Sequence, residues 1–148
     1  MANVDRSRSE VFRRRVFATY STDVINKGDM VISDGSGHVR PASAAATADA
    51  VADKFEGIAI HAKPSTDTPD IVVGVDVIAE MDVSALASAA HVGDKVEPEI
   101  LSGASLRQKV TVASTNPIGA VAKEAAVGDT TLTCHFVGRS VASPVVAD

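Results

Sequence analysis

The sequence predicts an all-β protein, mainly strand with one or two short helices. Three observations predict it. The apolar runs are short and rich in Val and Ile, and the longest of them, residues 71–81 (IVVGVDVIAEM), places Val73, Val75 and Val77 on one face with a period of two. Turn signals containing Gly, Asp or Asn recur roughly every 8–15 residues, which favours a small barrel or a sandwich. No strand is followed by a helix-length amphipathic stretch, so the alternation that builds a parallel α/β sheet is missing.

Residues 1–10 are polar and without periodicity, and read as a flexible arm or a peptide ordered by a partner. Residues 11–20 (VFRRRVFATY) are ambiguous: Val11, Phe12, Val16 and Phe17 mark either a helix face or strand ends, and three adjacent arginines break both patterns. From Thr22 the pattern is β. Val24-Ile25, the turn Asn26-Lys27-Gly28-Asp29 and Met30-Val31-Ile32 follow one another. Asp34-Gly35-Ser36-Gly37 is a hairpin turn, and His38-Val39-Arg40 is the return strand, stopped by Pro41. The Ala-rich residues 42–53 read as a surface loop with one helical turn. Residues 55–61 (FEGIAIH) are a short strand, and Pro64 and Pro69 make residues 63–70 a loop. A short helix is expected over residues 82–89, capped by Asp82 or Ser84. Residues 95–101 and 107–113 form a hairpin around Ser102-Gly103. Residues 118–122 and 130–137 are the last strands, the final one alternating Leu132, Cys134 and Phe136 with Thr131, Thr133 and His135. The chain thus divides into an N-terminal arm (1–20), a β domain (21–138) and a C-terminal tail (139–148) that is loose or partner-bound.

Lys27-Gly28-Asp29, Val92-Gly93-Asp94 and Val127-Gly128-Asp129 echo one another, each ahead of an apolar strand. Their separations are unequal, so they are read as one recurring turn, with Gly at positive φ and Asp bonding the backbone, and not as a solenoid repeat.

The 148 residues suit one domain. Apolar residues make up 45% but aromatics only 3%, with no Trp, so the apolar content is Ala and Val. Large aromatic anchors dominate tight ligand pockets and interface hot spots. Their scarcity argues against a deep pocket and for contacts spread over a broad area. A single Cys134 excludes an internal disulfide and a multi-cysteine zinc site. No stretch approaches the roughly 18 apolar residues of a membrane helix, and the N-terminus lacks a secretory core; the expectation is a soluble product made in the cytoplasm. The net charge of −5 is uneven. Residues 1–17 carry five arginines against Asp5 and Glu10, or +3, leaving nine basic and 17 acidic groups, or −8, in the rest. A basic arm on an acidic body suggests an acidic partner, and the favoured one is a protein surface. Few aromatics are available to stack bases, which disfavours nucleic acid.

Catalytic patterns are missing. His38, His61, His91 and His135 form no H-x-x-x-H. Gly35-Ser36-Gly37-His38 is not G-x-S-x-G, and its flanks are strand and strand where a nucleophile elbow needs strand and helix. Cys134 sits between apolar neighbours and is expected to be a buried small hydrophobe. Phosphate-binding glycine loops are absent. Asp76, Glu80 and Asp82 lack the calcium-loop pattern and read as a solvated strand face. Residues 91–98 are superficially similar to biotinyl and lipoyl carriers, but the matching hairpin, Ala79-Glu80-Met81-Asp82, has no lysine for attachment. No enzyme activity, cofactor or metal is expected.

Three segments carry a resemblance: Val24-Ile25-Asn26-Lys27-Gly28-Asp29-Met30-Val31, Gly37-His38-Val39-Arg40-Pro41-Ala42, and Asp53-Lys54-Phe55-Glu56-Gly57-Ile58-Ala59. Together they resemble the start of tailed-phage head decoration proteins, also called capsid cement proteins. Gly93-Asp94-Lys95-Val96 and Ile118-Gly119-Ala120-Val121-Ala122 are similar to their second half, so the resemblance spans roughly residues 22–137. It implies a β-barrel or β-tulip-like domain with an extended N-terminal arm, trimeric on the outer capsid surface of the virion and bridging major capsid protein subunits, with no direct nucleic-acid or membrane contact. The arm residues expected to meet the capsid are Arg6, Arg8, Val11, Phe12, Arg13, Arg14, Arg15, Val16 and Phe17. An arm this rich in arginine departs from the family's pattern. Alternatives are another virion component (a head fibre base, a host-attachment module or a tail-tube subunit) and, third, an enzyme with a dispersed site.

Overall fold

A computed structural model describes residues 9–63 and 70–139. It is mostly β, as expected. The strands are β1 (Ser9–Thr19), β2 (Met30–Ser33), β3 (His38–Pro41), β4 (Phe55–Ala59), β5 (Asp70–Asp82), β6 (Lys95–Leu101), β7 (Ala104–Val112), β8 (Gly119–Val121) and β9 (Thr131–Val137). A 3₁₀ turn (Ala42–Ala44) and one helix, α1 (Ala48–Lys54), lie between β3 and β4.

The sheet is not a single barrel. Its order is β1-β3-β2-β4-β5-β7-β6-β8-β9, with further pairings of β1 to β5 and β5 to β9. Those two pairings divide it into two circuits of five strands, β1-β3-β2-β4-β5 and β5-β7-β6-β8-β9, which share β5. The second circuit repeats the first. The β1–β3 and β5–β7 pairs are parallel, and every other pair in both circuits is antiparallel. The registers repeat as well: Val31 pairs with Gly57 and Pro41, and Val96 with Gly119 and Val112. The bridge of Ile25 to Lys63 recurs as that of Ala90 to Ala125.

The equivalence reaches the interior. The smaller apolar cluster comprises Ile25, Val31, Val39, Ala59, Ile71, Val73 and Val75, with Phe17 against it. Their counterparts by register, Ala90, Val96, Val110, Val121, Leu132, Cys134, Phe136 and Met81, all belong to the larger cluster. The larger cluster also holds Met30, Ile32, Phe55 and Ile58. β2 therefore faces one core with Val31 and the other with Met30 and Ile32, which is why its apolar run is continuous rather than alternating.

The echoed turns are one structure used three times. Asn26, His91 and Ala126 each donate the backbone N–H to the carboxylate of the Asp three residues on, at 2.9 Å. Each Asp N–H returns a bond to the carbonyl of that first residue, at 3.0, 2.9 and 3.1 Å. The intervening Gly28, Gly93 and Gly128 have φ of 97°, 96° and 90°, a region closed to most side chains. The sequence reading of a recurring turn is right about each turn, but the first two also occupy equivalent places in a duplicated circuit, each leading into the second strand of its half.

Several expectations are corrected. Residues 9–19, read with the arm or left ambiguous, are a full strand of the sheet, because Val11, Phe17 and Thr19 supply an inward side that the arginines obscure. No helix forms over residues 82–89: β5 runs through Asp82, and Val83 N–H bonds Thr130 O while Leu86 N–H bonds Asp129 O, so the backbone donors are taken by neighbours. Residues 42–53 hold more helix than one turn, since Thr47 caps α1 by accepting from Ala50 N–H at 3.1 Å. Ile25, ahead of the first turn, bridges Lys63. Of the tail, residues 140–148 lie outside the described residues, as do residues 64–69 of the expected loop.

Candidate functional site

Seven of the nine residues assigned to partner contact (Val11, Phe12, Arg13, Arg14, Arg15, Val16 and Phe17) lie on β1, and Arg6 and Arg8 lie outside the described residues. β1 pairs with β5 from Ser9↔Ala79 to Ala18↔Asp70. Its opposite edge meets β3 only at Ala18↔His38 and Thr19↔Val39. Along residues 9–17 that edge faces no second strand among the described residues.

The side chains divide by function. Phe17 packs on the smaller core and Val11 on the larger, anchoring the strand. Arg13, Arg14 and Arg15 are exposed. Phe12 and Val16 are 60% and 65% exposed, an unusual share for large apolar groups on a paired strand. Phe12 sits at a register irregularity, between Val11↔Val77 and Arg13↔Asp76. Such a bulge re-aims a side chain, and the Phe12 ring stands edge-on to His135 at 6.2 Å. The Arg15 guanidinium lies 5.4 Å from the Phe17 ring. Asp76, opposite Arg13, is bonded by His135 Nε2 at 2.6 Å. The result is a basic, partly apolar strand edge on an acidic domain.

A second polar cluster forms on the β2–β3 hairpin. Ser36 Oγ lies 2.8 Å from Asp34 Oδ1 and 3.2 Å from His38 Nδ1. These are the groups of a hydrolytic triad in the wrong connection. The carboxylate holds the hydroxyl and not the imidazole, so it cannot set the tautomer of a base. Asp34 also accepts from Tyr20 Oη, which holds its carboxyl well below the ordinary range. The Tyr20 ring stacks on His38 at 4.4 Å with Arg40 5.4 Å from it, and Arg40 forks onto Asp23 with two 3.0 Å bonds. The cluster fastens the hairpin to the end of β1.

A shallow groove of about 550 Å³ runs beside the start of β1, with Glu10, Glu80, Glu124 and Asp129 around Lys123. Of these lining groups Glu124 is held from outside the groove: its Oε1 lies 2.7 Å from His91 Nδ1, and its Oε2 accepts from Val92 N–H at 2.6 Å. Sequence reasoning missed this groove because its walls come from four separate segments. Among the described residues no group of His, Cys, Asp and Glu is arranged to hold a metal ion. Cys134 is fully buried, and burial pushes its thiol up to about 12, so it is inert as a nucleophile. No described helix is long and apolar enough to cross a membrane.

Fold and site together define an all-β domain made of a duplicated five-strand circuit, with a basic strand whose outer edge is unpaired along residues 9–17 among the described residues. No family model and no curated protein matches the chain. Its fold is similar to the crystal structure of the head fiber gp8.5 N base in bacteriophage phi29, at a TM-score of 0.41 and 13% identity over 84% of this chain and 94% of that one.

Proposed function

We propose that this protein is a virion structural protein that decorates a phage capsid, bridging major capsid protein subunits as a homotrimer. The observation that carries the reading is the open edge of β1, where Arg13, Arg14, Arg15, Phe12 and Val16 are exposed on a domain whose other residues are net acidic. The resemblance of residues 22–137 to capsid cement proteins supplies the partner. A broad Ala/Val surface with few aromatic anchors suits many weak contacts, and a lattice multiplies them.

The test follows from the pairing of β1. Deleting residues 2–17 would strip β5 of its longest partner and take Phe17 from the core, so truncation cannot separate binding from folding. The triple substitution Arg13→Ser, Arg14→Ser, Arg15→Ser touches only exposed groups. It is expected to leave the thermal transition in place and to weaken attachment to purified expanded capsids about tenfold or more, as loss of interfacial charge pairs does. Unchanged attachment would remove β1 as the contact. Location of the protein on purified particles separates decoration from a fibre or tail role.

A further inference from the structure

The duplication gives every strand of the first circuit a counterpart in the second, and β1 and β5 hold the same place. Each ends against the third strand of its own circuit, β1 at Ala18 and Thr19 on β3, and β5 at Asp82 on β7. Because Asp82 pairs with β9 as well, β7 must lie on the other edge of β5, the edge that carries β1 along residues 70–79. The counterpart edge on β1, residues 9–17, carries no strand among the described residues. The second circuit is thus covered at a position where the first is open.

The geometry points to an occupant. We propose that the outer edge of β1, residues 9–17, is a strand-acceptor site that takes an extended acidic segment of a partner, paired antiparallel as β1 is paired on β5. A strand's main-chain groups recruit another strand, and alternate side chains set the choice. Here Arg13, Arg14 and Arg15 are exposed in succession along the strand, with a register irregularity between Arg13 and Arg14, and a strand bearing carboxylates opposite them is favoured while like charge is penalised. On the inner edge the register already sets a carboxylate, Asp76, opposite Arg13, although the bonded partner of Asp76 is His135. A second copy of β1 would bring its own Arg13–Arg15 run against the first, so the same residues that attract an acidic strand discourage self-pairing. This deepens the capsid reading by naming the partner's chemistry, and rests on that reading only for which protein carries the segment.

The experiment uses the full chain and an end-blocked peptide of about ten alternating Val and Glu residues, enough to span the edge. Binding is followed by calorimetry and amide hydrogen exchange by NMR. The expected result is saturable binding that slows exchange about tenfold or more at alternate residues of 9–17, weakens with salt, is lost in the triple Arg→Ser variant and is largely kept in the triple Arg→Lys variant. A Val/Lys peptide is expected not to bind. No binding at millimolar peptide overturns the proposal. So does binding without alternate amide protection, which would be charge attraction alone, and so does edge-mediated self-association of the free protein. Capsid attachment is read separately: capsid binding without peptide binding sinks the strand-acceptor site and leaves the decoration reading standing, whereas peptide binding without capsid binding does the reverse.

Discussion

The two circuits share strand order, direction and register, yet they differ in what seals them. In the first circuit the turn of residues 26–29 is capped by the second. Asp29 is fully buried and accepts from Gln108 Nε2 at 2.8 Å and from Arg107 at 3.3 Å, both on β7. In the second circuit the matching turn of residues 91–94 has no third circuit to cap it, and Val92 is 61% exposed. At the other end the order reverses: the edge of β5 is covered by β1, and that of β1 carries no strand along residues 9–17 among the described residues. A duplicated unit packed in series has a used and an unused copy of each joining surface. The unused copies are where this molecule can meet something else.

The comparison predicts that equivalent glycines share a role but not a magnitude. Gly57 and Gly119 both oppose the valine two residues after the turn. A Cβ on Gly57 would stand 2.1 Å from Gly74 O, and Gly57 has φ of 146°; a Cβ on Gly119 would stand 2.6 Å from His135 O, with no positive φ. Gly57→Ala therefore meets both a backbone clash and a strained conformation, and is expected to cost about 4 kcal/mol, against about 2 kcal/mol for Gly119→Ala. Urea denaturation at constant slope measures both. Equal costs would mean that the circuits yield at this contact in the same way despite their different backbones.

Next in size is the shared turn. Asp29→Ala removes the N–H acceptor for Asn26 and leaves Arg107 and Gln108 facing an emptied, buried position, an expected loss of roughly 3 kcal/mol. Burial raises the Asp29 carboxyl above its ordinary value in spite of these bonds, a sign of how far water is excluded there. Asp94→Ala removes the equivalent bond to His91 N–H in an exposed turn and is expected to cost about 1 kcal/mol. The difference between the two substitutions isolates the capping by β7 from the turn itself. If Asp94→Ala proved as costly as Asp29→Ala, the turn alone would account for the loss.

These pairs also show what the sequence could and could not reveal. The Gly-Asp turns, the period-two run of β5 and the buried Cys134 were legible because each depends on residues within one segment. The duplication was not. Among equivalent core positions only Val31/Val96 and Val39/Val110 keep the same side chain, whereas Val73 corresponds to Cys134 and Phe17 to Met81. Packing needs volume and apolarity at those places, not identity, and unequal loops hide the spacing. The arginines of β1 stood out as a basic run, but their strand did not. Its pairing is satisfied by β5, more than fifty residues away. Residues 82–89 show the converse error: a helix cap and small residues describe local preference, and hydrogen bonds to residues 129 and 130 override it.

The smallest expected effect lies where the second circuit has a contact the first lacks. His91 and Glu124 correspond to Asn26 and Ala62, which cannot form an ion pair. The hydrogen bond and charge of Glu124 raise the His91 pKa, and the bonds from His91 and from Val92 N–H lower that of Glu124. Both groups are fully exposed, so the effect is local. The signs fix its window. A raised His91 contributes fully below its unfolded value near 6.5 and fades as pH rises through its folded value. A lowered Glu124 contributes above its unfolded value near 4.5 and fades as pH falls through its folded value. The clip is therefore strongest between roughly pH 4.5 and 6.5 and opens on either side. Amide exchange at Val92, corrected for its intrinsic pH dependence, should be slowest inside that window. Glu124→Gln should abolish the dependence, return His91 toward its ordinary titration and leave the denaturation midpoint where it was. A Val92 amide equally protected on both sides of the window, or unaffected by Glu124→Gln, would mean that the bond His91 N–H donates to Asp94 holds the turn without help from the His91–Glu124 pair.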